Sequence, residues 1–146
     1  MDNKSQTLRQ AQKIIDNHVL WAMVAGTLPI PAIDTIATGL IQLDMLKQLC
    51  KLYKCSYSNN VGKAIVSAII GAAMGKGISA IFDEQKVIER ITYSMLSGAI
   101  TYALGRVFLS NFEEGIGLID IDIKKGEELF SQEFDAALDY VKSMDK

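Results

Sequence analysis

The polar side chains that could do chemistry are few in this sequence. His18 is the sole histidine, whereas a nucleophilic or metal-dependent site ordinarily needs several imidazoles or a carboxylate cluster. Because His18 falls on an apolar stripe, we interpret it as a hydrogen-bonded packing residue, with pH sensing as the alternative. Cys50 and Cys55 lack the spacing of a tetrahedral zinc site. We therefore expect free thiols, no metal or other cofactor, and no enzymatic activity.

A glycine-rich run around Gly71 and Gly75 invites comparison with a phosphate-binding loop. It has one intervening residue too few, and Gly77 stands where a magnesium-binding hydroxyl should be. Small residues four apart instead let two helices approach closely. We therefore predict that Gly71 and Gly75, with Gly98 and Gly105 further along, are helix-packing residues.

A polar stripe interrupts the apolar pattern near the second quarter of the chain. Asp34, Thr38 and Gln42 are four residues apart and so share one helix face. Such a stripe can be solvated or internally hydrogen-bonded, or it can be a recognition surface or a seam between subunits. The candidate interaction motif consists of His18, Trp21, Pro29, Pro31, Asp34, Thr38 and Gln42.

The helices that position these residues follow from apolar periodicity. The apolar stripe of a first helix starts near Ser5, and that helix should end near Gly26–Leu28. Pro31 suits the first turn of a second helix, which should reach about Tyr53. The final helix, about Ile123–Met144, is acidic and amphipathic, with Asp120 or Asp122 as its cap.

Two apolar stretches lie between these outer helices. Ala64–Phe82 and Ile91–Leu109 have 19 residues each, and their only charges are Lys76 and Arg106. A helix needs about 20 apolar residues to cross a bilayer core. The pattern predicts a membrane-embedded antiparallel hairpin, and the alternative is a soluble assembly that buries both helices in an oligomer.

We accordingly predict an all-α fold of about five helices in one domain. The parts are an amphipathic helix pair around a Pro-Ile-Pro turn over residues 1–56, a central antiparallel apolar hairpin over 61–112, and an acidic amphipathic helix over 119–146, within a single domain 1–146.

Charge restricts the partners and the location. A net charge of -2 argues against nucleic-acid binding, which needs a concentrated basic surface. The polar first residues do not resemble a secretory signal. Basic residues are more frequent before the hairpin, at Lys47, Lys51, Lys54 and Lys63, than within it, at Lys86 and Arg90. Because cytoplasmic flanks carry the excess of basic residues, this difference places both termini in the cytoplasm. We expect a bacterial inner-membrane location or its cytoplasmic face, with the cytoplasm as the alternative.

Several segments resemble the YcjF-like bacterial family of unknown function, which is often fused behind small GTPase domains. The similar residues lie within His18–Phe112: His18–Met23, Gly26, Pro29–Pro31, Asp34, Ile41–Leu46, Tyr53, Ser58, Gly62–Ala64 and Ser97–Gly105. The resemblance implies two membrane-associated helices and a GTPase as a possible partner, with no catalytic role. This chain differs from the family at Asp83–Arg90, where family members have a proline- and glycine-rich turn.

The function predicted from these observations is non-enzymatic. We expect a membrane-associated helical module for self-association and partner docking, with lipid, further copies of the chain and a GTPase as its candidate partners. The alternative is a soluble, self-assembling helical adaptor.

Overall fold

The computed structural model describes residues 3–26, 31–76 and 93–144, apart from the side chains of 31–37, 74–76 and 93. These residues form five α-helices and a short 3-10 turn at Leu118–Asp120, without a strand in the described ranges. The helices are α1 (Asn3–Ala25), α2 (Pro31–Tyr53), α3 (Asn59–Lys76), α4 (Tyr93–Glu113) and α5 (Ile123–Met144). The all-α prediction with five helices is confirmed.

The first two helices end and begin where the sequence predicts. The apolar stripe of α1 places Ala11, Ile15 and Val19 fully in the core, and the Gly26 amide donates to the Ala22 carbonyl at 2.9 Å where the helix ends. Pro31 opens α2, since its fixed backbone angle suits a first helical turn and its missing N–H has no helical acceptor there.

Loop residues cap the later helices. At the start of α3, the Ser58 carbonyl accepts from the Gly62 amide at 2.8 Å. At the start of α5, Asp122 Oδ1 accepts from the amides of Lys124 and Lys125 at 2.9 and 3.2 Å. An N-cap carboxylate satisfies amides that lack helical partners. The predicted Asp122 cap is therefore confirmed.

α4 lies at the centre of the bundle. It packs along α1 and α5 and also against α2. Its fully buried residues include Ala103, Leu104, Val107 and Phe108. α5 completes the core with Phe130 and an apolar stripe at three- and four-residue steps: Phe134, Ala137, Leu138 and Val141.

The pairing of the two apolar helices differs from the predicted hairpin. α3 packs mainly on α5, and α4 fills the space between α1 and α5, so α3 and α4 are not principal partners of each other in the described residues. A helix that is apolar on all sides can be a buried core helix as well as a membrane segment. Within the described ranges, none of the helices combines the length and hydropathy required to cross a bilayer.

Candidate functional site

The last two turns of α1 expose an apolar surface, which we call the apolar tip. Leu20, Trp21 and Val24 have 43%, 59% and 66% of their surfaces exposed. They lie on one side of the helix, because positions 20, 21 and 24 fall within about one third of its circumference. Large apolar side chains grouped at an exposed position commonly mark an interaction site.

The outer face of α1 changes character along its length. Arg9, Lys13 and Asn17 are exposed on the same side as the apolar tip, one to four turns towards the N-terminus. The helix is thus cationic and polar at one end of its outer face and apolar at the other. Tryptophan and basic residues in this order are typical of a helix end that meets a membrane interface.

His18 lies directly beneath the apolar tip. It is buried, and its ring centroid is 5.6 Å from that of Trp21. The Ile14 carbonyl is 2.7 Å from His18 Nδ1, and Asp44 Oδ2 on α2 is 2.8 Å from His18 Nε2. Gln48 donates to the same Asp44 oxygen at 2.7 Å. His18 is therefore a hydrogen-bonded packing residue that joins α1 to α2 and supports the position of Trp21.

The partners Asp44 and Gln48 were not identified as site residues from the sequence. A carbonyl can only accept a hydrogen bond, so His18 Nδ1 carries a proton and Nε2 faces the carboxylate. A buried imidazole needs hydrogen-bond partners for both of its ring nitrogens. That requirement predicts a carboxylate or carbonyl on a neighbouring helix, but only the packing of α1 on α2 selects Asp44.

The polar stripe of α2 is partly internal. Gln42 is buried and its Nε2 donates to Thr101 Oγ1 on α4 at 3.2 Å. Thr38, one turn earlier, is partly buried. Asp34 lies within α2, but its side chain is outside the described residues. The internally hydrogen-bonded interpretation therefore holds at Gln42.

Only one proline of the candidate motif lies in the described residues. Pro31 begins α2, and Pro29 lies outside the described residues. The candidate motif is thus brought together in part: His18 and Trp21 are in ring contact, whereas Gln42 contacts α4.

Two of the four predicted packing glycines lie in close helix contacts. A Cβ added at Gly98 would be 2.6 Å from Met23 Cγ, and one at Gly105 would be 2.9 Å from Ile15 Cγ1. Their partner is α1, not α3. Gly71 differs from the prediction, since it is exposed and a Cβ there would meet nothing within 4 Å. The surroundings of Gly75 lie outside the described residues.

Arg106, the one charge of the second apolar stretch, interacts with protein groups. Its Nε lies 3.3 Å from Glu133 Oε1 on α5, and its Nη1 donates to Gln12 Oε1 on α1 at 3.2 Å. Gln12 in turn donates to Asp16 at 2.9 Å, and the Tyr140 hydroxyl donates to the same carboxylate. A polar network therefore joins α1, α4 and α5.

No group of three or more metal-ligating side chains occurs in the described ranges. Every buried side-chain oxygen or nitrogen of the described part has a hydrogen-bond partner, so no orphaned polar atom there indicates a ligand.

Together these features define an all-α helical bundle with an exposed apolar tip beside a buried histidine. The chain belongs to the family described as "Domain of unknown function (DUF697)", which it matches over residues 2–133. It is also similar to a protein of Magnetospirillum gryphiswaldense named "magnetosome membrane protein 22". The two are 27% identical over 134 residues, which cover 86% of this chain and 69% of that protein. No solved structure matches the chain.

Proposed function

We propose that this protein is a non-enzymatic helical module that associates with a membrane through its apolar tip and there self-associates and docks a partner. The observation that carries the proposal is the exposure of Leu20, Trp21 and Val24 on one face of α1. The name of the relative, a membrane protein, supports it. The location we propose is the bacterial inner membrane at its cytoplasmic face.

The lengths along α1 suit an interfacial arrangement. Lys13 precedes Trp21 by eight residues, or about 12 Å of helix. With the apolar tip at the level of the acyl chains, the Lys13 ammonium would reach the lipid headgroups, where each basic residue contributes roughly 1 kcal/mol against an anionic surface. Burial of the three apolar side chains adds roughly 1.5–3 kcal/mol each. Binding through these residues alone would be reversible.

The alternative is a soluble adaptor in which another copy of the chain covers the exposed faces. One observation favours it: among the described side chains of α3, which end at Ala73, the exposed ones beyond Lys63 are all small, namely Ala64, Ser67, Ala68 and Gly71. Small side chains let a second helix approach closely. A GTPase partner, which rests on the family resemblance, remains a proposal, and we expect no binding of nucleic acid.

The test uses the only tryptophan of the chain as the reporter. Vesicles of phosphatidylcholine with phosphatidylglycerol are added to the purified protein, and Trp21 emission is recorded. We expect a blue shift and a higher intensity, because the exposed indole moves into a less polar medium. Lipids brominated on the acyl chains should then quench this emission.

Two matched variants test whether vesicle binding depends on the apolar tip or on any exposed apolar residue of α1. Val24→Glu should lower vesicle binding in flotation, whereas Leu8→Glu, at another exposed apolar position near the other end of α1, should leave it unchanged. Unshifted Trp21 emission and a discrete oligomer without detergent would reject the membrane proposal and favour the soluble adaptor.

A further inference from the structure

The end of α2 is closed by a Schellman motif that has a cysteine at both of its contact positions. The Cys55 amide donates to the Cys50 carbonyl at 2.9 Å, and the Lys54 amide lies 3.3 Å from the Lys51 carbonyl. These are the two hydrogen bonds that define the motif, and its first and last residues usually make an apolar side-chain contact. Here both contact positions are cysteines, with Cys50 inside the core cluster and Cys55 packed against it.

The backbone of the motif is held in an unusual conformation. Lys54 has φ 59°, a left-handed angle that non-glycine residues rarely adopt. The same motif at the end of α4 uses Gly115 with φ 81°, and its contact positions are Asn111 and Ile116. The cysteine pair is therefore not a requirement of this type of helix end.

The two thiols differ in access. Cys50 is fully buried, whereas Cys55 is partly exposed. Burial, together with the hydrogen bond and charge of the Cys55 sulfur, raises the pKa of the Cys50 thiol to about 12. Cys50 therefore stays a neutral thiol near pH 7, and the partly exposed Cys55 is the sulfur that a reagent meets first. Reactivity of a thiol follows its access and its thiolate form.

We propose that Cys50 and Cys55 form an oxidisable dithiol that hydroperoxides convert to an intrachain disulfide. The Cys55 thiolate attacks a peroxide oxygen, the O–O bond breaks, and Cys55 becomes a sulfenic acid as the other oxygen leaves as hydroxide or alkoxide. The Cys50 sulfur then attacks the Cys55 sulfur, the S–O bond breaks, and the Cys50 proton leaves with that oxygen as water. Each sulfur loses one electron, and the two peroxide oxygens gain them.

The disulfide would fix a surface at the end of the bundle remote from the apolar tip. Cys55 Cβ lies 3.9 Å from a Cβ built on Gly117, beside a cleft of about 440 Å³. The lining residues of the cleft are Ser56, Tyr57, Ser58, Val61, Gly117, Leu118 and Ile119. Oxidation therefore acts on the wall of this cleft and leaves Leu20, Trp21 and Val24 unaltered.

The experiment treats the whole reduced protein with hydrogen peroxide and reads the product by mass spectrometry. We expect a mass lower by two hydrogen atoms and a crosslinked peptide that contains Cys50 and Cys55. Cys50→Ser should accumulate a dimedone adduct at Cys55, and this adduct should be lost in Cys55→Ser.

A positional control tests the geometry. The double variant Cys50→Ser, Lys47→Cys keeps two cysteines near the end of α2 but moves one of them a turn away from the contact position, to an exposed site, and it should form no intrachain disulfide. Circular dichroism confirms that each variant is folded. Disulfide-linked dimers only, or oxidation of Cys55 to sulfinic acid in the wild-type chain without the crosslink, would overturn the proposal.

Discussion

Two tyrosines hold helices together by donating their hydroxyl protons to carboxylates. Tyr140 of α5 donates to Asp16 of α1, and Tyr53 of α2 donates to Glu113 of α4. A phenolate could not donate and would repel the carboxylate. Burial and the Asp16 hydrogen bond raise the pKa of Tyr140 to about 12. Burial and the Glu113 hydrogen bond raise the pKa of Tyr53 by a larger amount.

These pKa directions predict alkaline loss of stability. An unfolded tyrosine ionises near pH 10, but folded Tyr140 keeps its proton to about pH 12. The folded state then binds more protons than the unfolded state, so stability is full below pH 10 and falls as pH rises towards 12. Tyr140→Phe should show a shallower fall over this range in denaturant unfolding. Equal slopes for the variant and the wild type would contradict the prediction.

The buried amide of Gln42 offers a second test on single residues. Gln42→Leu or Thr101→Val alone leaves one buried polar group without its partner, which costs about 1–3 kcal/mol of unfolding free energy. The double variant removes both groups and should lose less than the sum of the single variants. Additive losses in this cycle would mean that the 3.2 Å contact contributes no coupling.

For single residues, the sequence predicts whether a polar side chain is buried and hydrogen-bonded better than it predicts which residue it contacts. The polar Gln42 and the packed His18 follow from their places on apolar helix faces, because a buried polar group must be hydrogen-bonded. Their hydrogen-bond partners Thr101 and Asp44 are 59 and 26 residues away. No local pattern indicates which helices will adjoin, and so neither partner could be deduced.

Two glycines in the middle of helices, Gly105 of α4 and Gly71 of α3, differ in the space around them. Gly105 of α4 faces Ile15 of α1 at a distance that excludes a methyl group, whereas Gly71 of α3 faces open space. Gly105→Ala should therefore destabilise the protein by about 1–3 kcal/mol through overpacking. Gly71→Ala should stabilise it by about 0.5–1 kcal/mol, since alanine has the higher helix propensity.

Thermal and urea unfolding of the two glycine variants measures both effects. A loss of stability in Gly71→Ala of the isolated monomer would contradict the open surroundings of that residue. If Gly71→Ala is stable but weakens self-association, the small-residue face of α3 is a contact between copies.

Helix ends were the most predictable elements. Pro31 and Asp122 act within one turn of the chain and need no distant partner, and the predicted starts at these residues agree with the structure. The end of α2 was also expected near Tyr53, but its left-handed residue is Lys54. Lysine has no intrinsic preference for that conformation, so sequence could not indicate the Schellman motif.

For the whole molecule, hydropathy predicted apolar helices but not their neighbours. The stretch assigned to a membrane crossing at Ile91–Leu109 contains much of α4, whose residues such as Leu104 and Phe108 are enclosed by other helices of this chain. A core and a bilayer are similarly apolar, and the sequence of one helix does not distinguish them. Arg106, the one charge of that stretch, forms an ion pair with Glu133 of α5.

The position of the apolar tip at one end of α1 predicts the orientation of the bundle on a membrane. Leu8 and Val24 are both exposed apolar residues of α1, separated by 16 residues or about 24 Å of helix. A cysteine at either position, in a Cys50→Ser, Cys55→Ser background, can hold an environment-sensitive fluorophore. With vesicles that contain phosphatidylglycerol, the label at position 24 should shift to the blue and the label at position 8 should not, because only the apolar tip enters the lipid. Positions 8 and 24 lie about 160° apart around α1, so equal shifts at both would contradict insertion through the apolar tip alone. A blue shift at position 24 that grows with protein concentration in the absence of vesicles would assign the apolar tip to contacts between copies.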